Sequence, residues 1–285
     1  MSTTEMPKHF VEQFSDNVML RYAEGASKLS NCCRNKNNIV GESASFNLSG
    51  GLKFAEKTKF GKIQLADDRR DRVKVFPQFR FTGVKLDDID MVQIGHDERP
   101  VVEQRFANAG GEWIDDTVFK AMDAGRNTAA SHVTGGATAA PIPTLFLEAQ
   151  AALEGRDVPT GDAKIYCAVT PLVWAHLMTF KSFSNADYVD DQPWQKNLKM
   201  RDWLGVNFFK TNRVPKTENA VRCMMWHHDA VGLGIWKLLR MEAGRLVDEA
   251  CDIITAKIFA GAVVIQPDGV QTIEVNQAAA LPAAP

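Results

Sequence analysis

The sequence predicts an α+β fold, and three observations carry that reading. Two early stretches, SASFNLS (43–49) and RVKVFPQFRF (72–81), alternate apolar and polar side chains with period two. From Asp97 the period becomes helical and holds to about Ala124. The remainder mixes short helical stripes with β-branched apolar runs and ends in DIITAKIFAGAVVIQPDGVQTIEV (252–275).

Composition frames these elements as an ordinary globular protein. The chain has 285 residues, 45% hydrophobic and 24% charged, enough for one large or two modest domains. A net charge of -2 gives no reason to expect nucleic acid or an acidic membrane as a partner of the whole surface. No apolar run approaches the roughly 18 residues of a spanning helix, and the polar start MSTTEMPKHF is unlike a signal peptide. Cys32, Cys33, Cys167, Cys223 and Cys251 are odd in number and include no CxxC. They read as free thiols in a reducing cytoplasm.

Along the chain, Val11, Phe14, Val18 and Tyr22 fall at helical spacing, widened by Phe10 and Leu20. This predicts an amphipathic helix over 7–26 whose apolar face needs a partner surface. The polar stretch NCCRNKNN (31–38) follows. In the first strand Ala44, Phe46 and Leu48 form one face. In the second the apolar face is Val73, Val75, Phe79 and Phe81, with Pro77 marking an edge or a bulge. Residues 50–71 between them hold six basic and four acidic side chains. That is too long and too charged for a tight hairpin, and fits either a solvated loop or an interaction arm.

Asp97 is placed to cap the long helix, with Pro100 in its first turn. Val102, Phe106, Ala109 and Trp113 give its stripe, continued by Ile114, Val118 and Ala121. Its length is about 40 Å at 1.5 Å per residue. Gly110 and Gly111 sit mid-helix and mark a weak point or bend. Residues 131–143 read as a flexible connection and a domain boundary. Beyond it, Ile142, Leu145, Phe146, Ala149 and Leu153 predict a helix, and Ile165, Cys167 and Val169 a strand. Thr170-Pro171 caps a further helix, LVWAHLM, in which His176 reads as a packing or cap residue. VNFF, AVRCMMW and the last block supply strands, with Pro267-Asp268-Gly269 as a turn, and NQAAALPAAP closes as a tail.

The stretch MMWHHDAVGLGIW (224–236) raises a chemical question. His227-x-Asp229 has the local form of a two-histidine, one-carboxylate iron site. No histidine follows His228, and in an extended stretch His227 and His228 face opposite ways. An upstream histidine is still available, so metal site and polar turn both stand at this level. No GxSxG, P-loop, HExxH or GxGxxG occurs.

The order of parts resembles the major capsid protein of tailed bacteriophages, the Hong Kong 97 fold, most closely the version in short-tailed phages. The resemblance spans nearly the whole chain. It lies in the N-terminal helix, in GESASFNLSG…LADDRRDRVKVFPQF as an extended loop, and in the long helix from Asp97. It continues through VTPLVWAHLM…FSNADYV…GVNFFKTNRVP and closes with HHDAVGLGI…DIITAKIFAGAVVIQPDGV. It implies an N-terminal arm (1–40), an extended loop (41–82), a peripheral domain with a spine helix (83–140), an axial domain (141–240), a return to the peripheral domain (241–275) and a tail (276–285). It implies a shell protein and not an enzyme, without catalytic residues, metal or cofactor. His227, His228 and Asp229 become a polar turn, and Val231, Leu233 and Ile235 become packing residues. Hexamers and pentamers would close an icosahedral shell around double-stranded DNA, held without sequence-specific contact. A separate scaffolding protein, a portal and a decoration protein are the further partners, and the virion is the location. The alternatives are an encapsulin-like nanocompartment and a metal-dependent enzyme using His227 and Asp229.

On this resemblance the loop lies across a neighbouring subunit. Lys59, Lys62, Arg69 and Arg70 meet acidic partners there, Asp67, Asp68 and Asp71 are further contact candidates, and Phe54 or Phe60 fills a pocket. Exposed ion pairs contribute only about 0–1 kcal/mol each, so apolar anchors and strand pairing carry the affinity. Phe10 and Phe14 extend the contact set, since the N-terminal helix finds its cover on an adjacent copy. Gly110 and Gly111 are hinge candidates. Two features depart from the family. Some relatives begin with a scaffolding segment that a protease removes, whereas this chain starts almost at the N-terminal helix, so the scaffold is expected to be separate or the chain to be mature. The lysine–asparagine cross-link of the best-known member has no assignable pair, although Lys53, Lys57, Lys59 and Lys62 offer donors.

Overall fold

The computed structural model describes residues 27–51, 56–57, 59–61, 70–87, 99–126, 132–134, 143–160, 164–178, 200–216, 220–246 and 251–276. The predicted helix over 7–26, the cap at Asp97 and the tail after 276 lie outside these residues.

A 3₁₀ turn at Ser30–Cys32 leads into β1 (Arg34–Asn37). Strands β2 (Ala44–Ser49) and β3 (Arg70–Val75) pair as an antiparallel ribbon, Ala44 opposite Val75 and Ser49 opposite Arg70. At Phe76-Pro77 the ladder stops, because proline offers no N–H. The chain resumes as β4 (Gln78–Asp87). Helix α1 (Arg99–Gly125) follows, then β5 (His132–Thr134), α2 (Pro143–Glu154), β6 (Ile165–Val169) and α3 (Pro171–Met178). The remaining strands are β7 (Met200–Trp203), β8 (Val206–Lys210), β9 (Ala220–His227), β10 (Val231–Leu246), β11 (Cys251–Val264) and β12 (Val270–Asn276).

These strands make a four-stranded sheet in the order β1-β10-β11-β4 and a six-stranded sheet in the order β5-β12-β9-β6-β8-β7, besides the β2–β3 ribbon. The main core lies on the six-stranded sheet, where Phe146, Leu153, Leu177, Phe208 and Trp226 are almost wholly buried. A smaller core of Leu86, Val102, Phe106, Ile254 and Ala256 lies between α1 and the four-stranded sheet. α1 serves both, its first half packing on the small core and Ile114, Val118, Phe119 and Met122 on the large one. Its buried positions include the series Val102, Phe106, Gly110, Ile114, Val118 and Met122. Steps of four advance about 40° each on a helix of 3.6 residues per turn, so the buried face winds from one core to the other.

Several expectations are corrected here. Phe79 and Phe81 do not form a buried face: they are 47% and 73% exposed, stacked on each other with ring centres 5.7 Å apart. They lie on the solvent side of β4, while Val84 and Leu86 on the other side meet α1. Ala109 is exposed, and Gly110 takes its place in the stripe. The expected connection at 131–143 contains β5, which pairs in parallel with Thr272–Glu274 of β12. The polar stretch after Cys33 contains β1, paired in parallel with β10 from Gly232 to Ile235. Over 241–275, β10 and β11 run in the four-stranded sheet, and β12 joins β9 in the six-stranded one.

Candidate functional site

The ribbon stands on the β10–β11 hairpin, and its base is built from close backbone contacts. Phe46 is buried with Ala44, Val75 and Ile265. Its ring lies on Gly232, where a Cβ would come within 2.7 Å of it. On the neighbouring strand β11, the carbonyl of Phe76 sits where a Cβ on Gly261 would clash with it. Glycine in a strand interior marks such an approach. Trp236 closes one side, its indole N–H donating to Gly41 O at 2.7 Å. Burying a side chain such as Phe46 contributes about 1.5–3 kcal/mol, so the ribbon is firmly rooted.

The far end of the ribbon differs. Phe60 is 94% exposed, with φ of 68°, a left-handed backbone unusual for a bulky side chain. Lys59 lies over its ring at 5.6 Å. Arg70 and Asp71 stand at the start of β3, both exposed. Phe10, Phe14, Phe54, Lys62, Asp67, Asp68 and Arg69 lie outside the described residues.

A second feature ties Ser27, Lys28 and Leu29 to α1. Asp115 on α1 is fully buried and pairs with Arg213. Its Oδ1 accepts from the Leu29 N–H at 3.1 Å and from the Ser27 hydroxyl, and its Oδ2 accepts from the Lys28 N–H at 3.2 Å. One opposite charge and three further donors thus satisfy one buried carboxylate, which is the condition for burying it. Sequence reasoning missed this cluster: an Asp directly beside Ile114 of the helix stripe was the available signal.

His227, His228 and Asp229 form a tight turn at the end of β9. The Asp229 N–H donates to His227 Nδ1 at 3.2 Å, and His228 Nδ1 lies 3.1 Å from Asp229 Oδ1. Partial burial pushes the Asp229 carboxyl up. The hydrogen bond and charge of His228, with the charges of His227 and Arg34, outweigh it and hold the group below the usual range. The three side chains are used locally, and among the described residues no group of three or more His, Cys, Asp or Glu side chains is placed to hold a metal. The five cysteines are buried and free. Burial pushes Cys32 up to about 12, with the charge of Asp115 adding to it, and Cys223 is also pushed up to about 12 by burial. Cys32, Cys33, Cys167 and Cys223 pack within the main core. No helix among the described residues is long and apolar enough to cross a membrane.

The sequence matches the family model of phage capsid proteins over residues 6–277. This chain is a member of the phage capsid protein family. Solved structures agree with that membership at the level of fold. The capsid subunit of cyanophage P-SCSP1u superposes with a TM-score of 0.75 at 16% identity, covering 93% of this chain and 92% of that one. The protein of Mycobacterium phage Che8 gives 0.70 at 18% identity, covering 98% and 100%. The capsid of a native GTA particle gives 0.72 at 12% identity, covering 93% and 95%. No curated protein matches the chain. The capsid protein is thus a structural component of the virion, the major subunit that associates with its own copies to form the shell. These likenesses favour a phage coat over a cellular nanocompartment or a metal enzyme.

Proposed function

We propose that this capsid protein assembles as hexamers and pentamers into a closed icosahedral shell enclosing double-stranded DNA, using the Hong Kong 97 architecture and no catalytic step. The ribbon β2–β3 with residues 50–69 is the extended loop, α1 the spine helix, and the six-stranded sheet the axial domain. The observation that carries this reading is Phe60, bare at the end of a ribbon whose root is packed like a core. A closed shell needs heterologous contacts that reach from one copy to the next, and such a loop supplies one. Phe54 and Phe60 are its apolar anchors. Lys59, Lys62, Arg69, Arg70, Asp67, Asp68 and Asp71 set its register by charge. The near-neutral charge of the subunit suits a container that holds DNA without gripping it. A separate scaffolding protein directs assembly, a portal occupies one vertex, and a decoration protein binds the outside. Gly110 and Gly111 act as a hinge if the shell changes shape, and comparison of precursor and mature shells by cryo-electron microscopy tests it: equal curvature of α1 at Gly110 in both states removes the hinge.

Assembly is tested by light scattering and negative-stain microscopy of the purified protein with scaffold supplied. Closed shells are expected. A monodisperse monomer at high concentration overturns the proposal.

A further inference from the structure

One edge of the four-stranded sheet is open to solvent. β4 is the last strand of its order, and among the described strands β11 is its one neighbour. From Gln78 to Gly83 every residue of β4 is exposed. Phe79 and Phe81 stack on the solvent face, with Phe79 also held against Phe259 at 4.5 Å between ring centres. The other face is no better sealed: between β4 and α1 lies an apolar slot bordered by Thr82, Ala109 and Trp113. Ten residues is long for a strand, and its ladder with β11 runs unbroken from Gln78 to Asp87. A long, exposed, apolar edge of this kind pairs with another chain unless a bulge, a proline or charge blunts it. Pro77 lies just before the edge and Phe79 and Phe81 lie on it.

The strand is complementary to a second copy of itself. In an antiparallel pair with Thr82 opposite Thr82 of the second copy, Phe81 falls opposite Gly83, Arg80 opposite Val84 and Phe79 opposite Lys85. Each Phe81 ring then covers a glycine, whose missing side chain leaves the cross-strand space that a ring fills. Each Phe79 ring meets an ammonium, the two threonines meet at the axis, and no like charges stand opposite each other. Moving the register by two residues in one direction sets Phe79 against the Asp87 carboxylate. Moving it by two in the other direction shortens the shared ladder.

We propose that β4 pairs antiparallel with β4 of a second copy in this register, so that two four-stranded sheets continue as one across a two-fold axis. The inference rests on the reading that copies of the chain build a shell, and it adds a contact separate from the ribbon's. A ribbon reaching from one copy to the next makes a heterologous contact, which closes rings, whereas a two-fold contact is isologous and joins two copies only. The β4 pair thus ties a subunit of one hexamer or pentamer to a subunit of the next.

The test is disulfide trapping in shells assembled from the full-length chain, read on non-reducing gels. The five native cysteines are buried, so an introduced surface thiol finds only its own kind. Opposite residues of an antiparallel pair have Cα atoms about 4.5–5.5 Å apart, within reach of a disulfide, whereas diagonal neighbours at about 7–8 Å are beyond it. Thr82→Cys by itself is expected to give a disulfide-linked dimer, and Phe81→Cys by itself none. Phe79→Cys and Lys85→Cys should each give none alone and give the dimer when the two chains are mixed in one shell. Adding Phe81→Glu to Thr82→Cys should abolish the dimer while leaving the thermal midpoint of the subunit unchanged, because Phe81 is 73% exposed. Shells that form without the Thr82→Cys dimer, or that give a dimer from Phe81→Cys alone, overturn this pairing and leave the assembly reading in place. A wild-type chain that forms no shells overturns the assembly reading and the pairing with it.

Discussion

Among single residues, Asp115 carries the most. It neutralises Arg213 and gathers the backbone of Lys28 and Leu29 in a site closed to water. Removing one partner of a buried pair strands the other, at a cost of about 3–5 kcal/mol. Asp115→Asn is therefore expected to lower subunit stability by that amount in urea unfolding. A loss under about 1 kcal/mol, the range of exposed pairs, would show that water reaches the site. The two aromatic ends of the ribbon give a sharper contrast. Phe46 is buried and Phe60 is bare. Phe46→Ala should cost the isolated subunit about 3–5 kcal/mol. Phe60→Ala should leave its stability within about 0.5 kcal/mol while reducing the yield of closed shells. Equal effects of both on the subunit would place Phe60 in its own core and remove its contact role. The sequence marks both residues as apolar and does not rank them. Alternation within β2 pointed Phe46 inward, whereas Phe60 lies in no periodic stretch.

Among elements, the ribbon's root depends on glycines in β10 and β11 more than on the strands that form it. The Phe76 carbonyl occupies the space over Gly261, and neither backbone can retreat without breaking pairing of β4 with β11 at Gln78 and Ala260. Gly261→Ala is expected to destabilise by about 1–3 kcal/mol through overpacking, and to speed amide exchange in β2 and β3 ahead of β9 and β12. Unchanged exchange in the ribbon would show that its base is held elsewhere. The sequence reading drew nothing from the glycines of these strands, and which backbone arrives is set by residues almost two hundred positions earlier. Helix α1 teaches the same point. Its existence and length were legible from the helical period, and the observed element is Arg99–Gly125. Its exact buried face was not, because steps of four turn the face from the small core to the large one, and a reader assuming a single core chooses Ala109 over Gly110. The misplacement of Phe79 and Phe81 has a related cause: alternation locates a face but does not say which face meets a helix.

For the whole molecule, the loop and the body should separate. Replacing residues 50–69 by an Asn-Gly turn, which suits a two-residue hairpin, is expected to leave a subunit with nearly unchanged thermal unfolding, since the described residues of that loop are exposed or half-exposed. Shell formation should fail or weaken strongly, as read by light scattering. Unfolding of this variant would show that the loop stabilises its own subunit. The sequence by itself determined the kind of molecule: mixed helix and strand, the long central helix, the strand-and-turn close at Pro267–Gly269, and the likeness to phage coats. These are carried by local period and by the order of parts along the chain, and both are written in one dimension. Only the tertiary structure decided that β12 and β5 join the six-stranded sheet, that Asp115 and Arg213 meet across 98 positions, and that glycines of β10 and β11 receive the ribbon. Each of these is a meeting of distant segments, fixed by which surfaces fit and which buried charges find partners, and no local period encodes such a meeting.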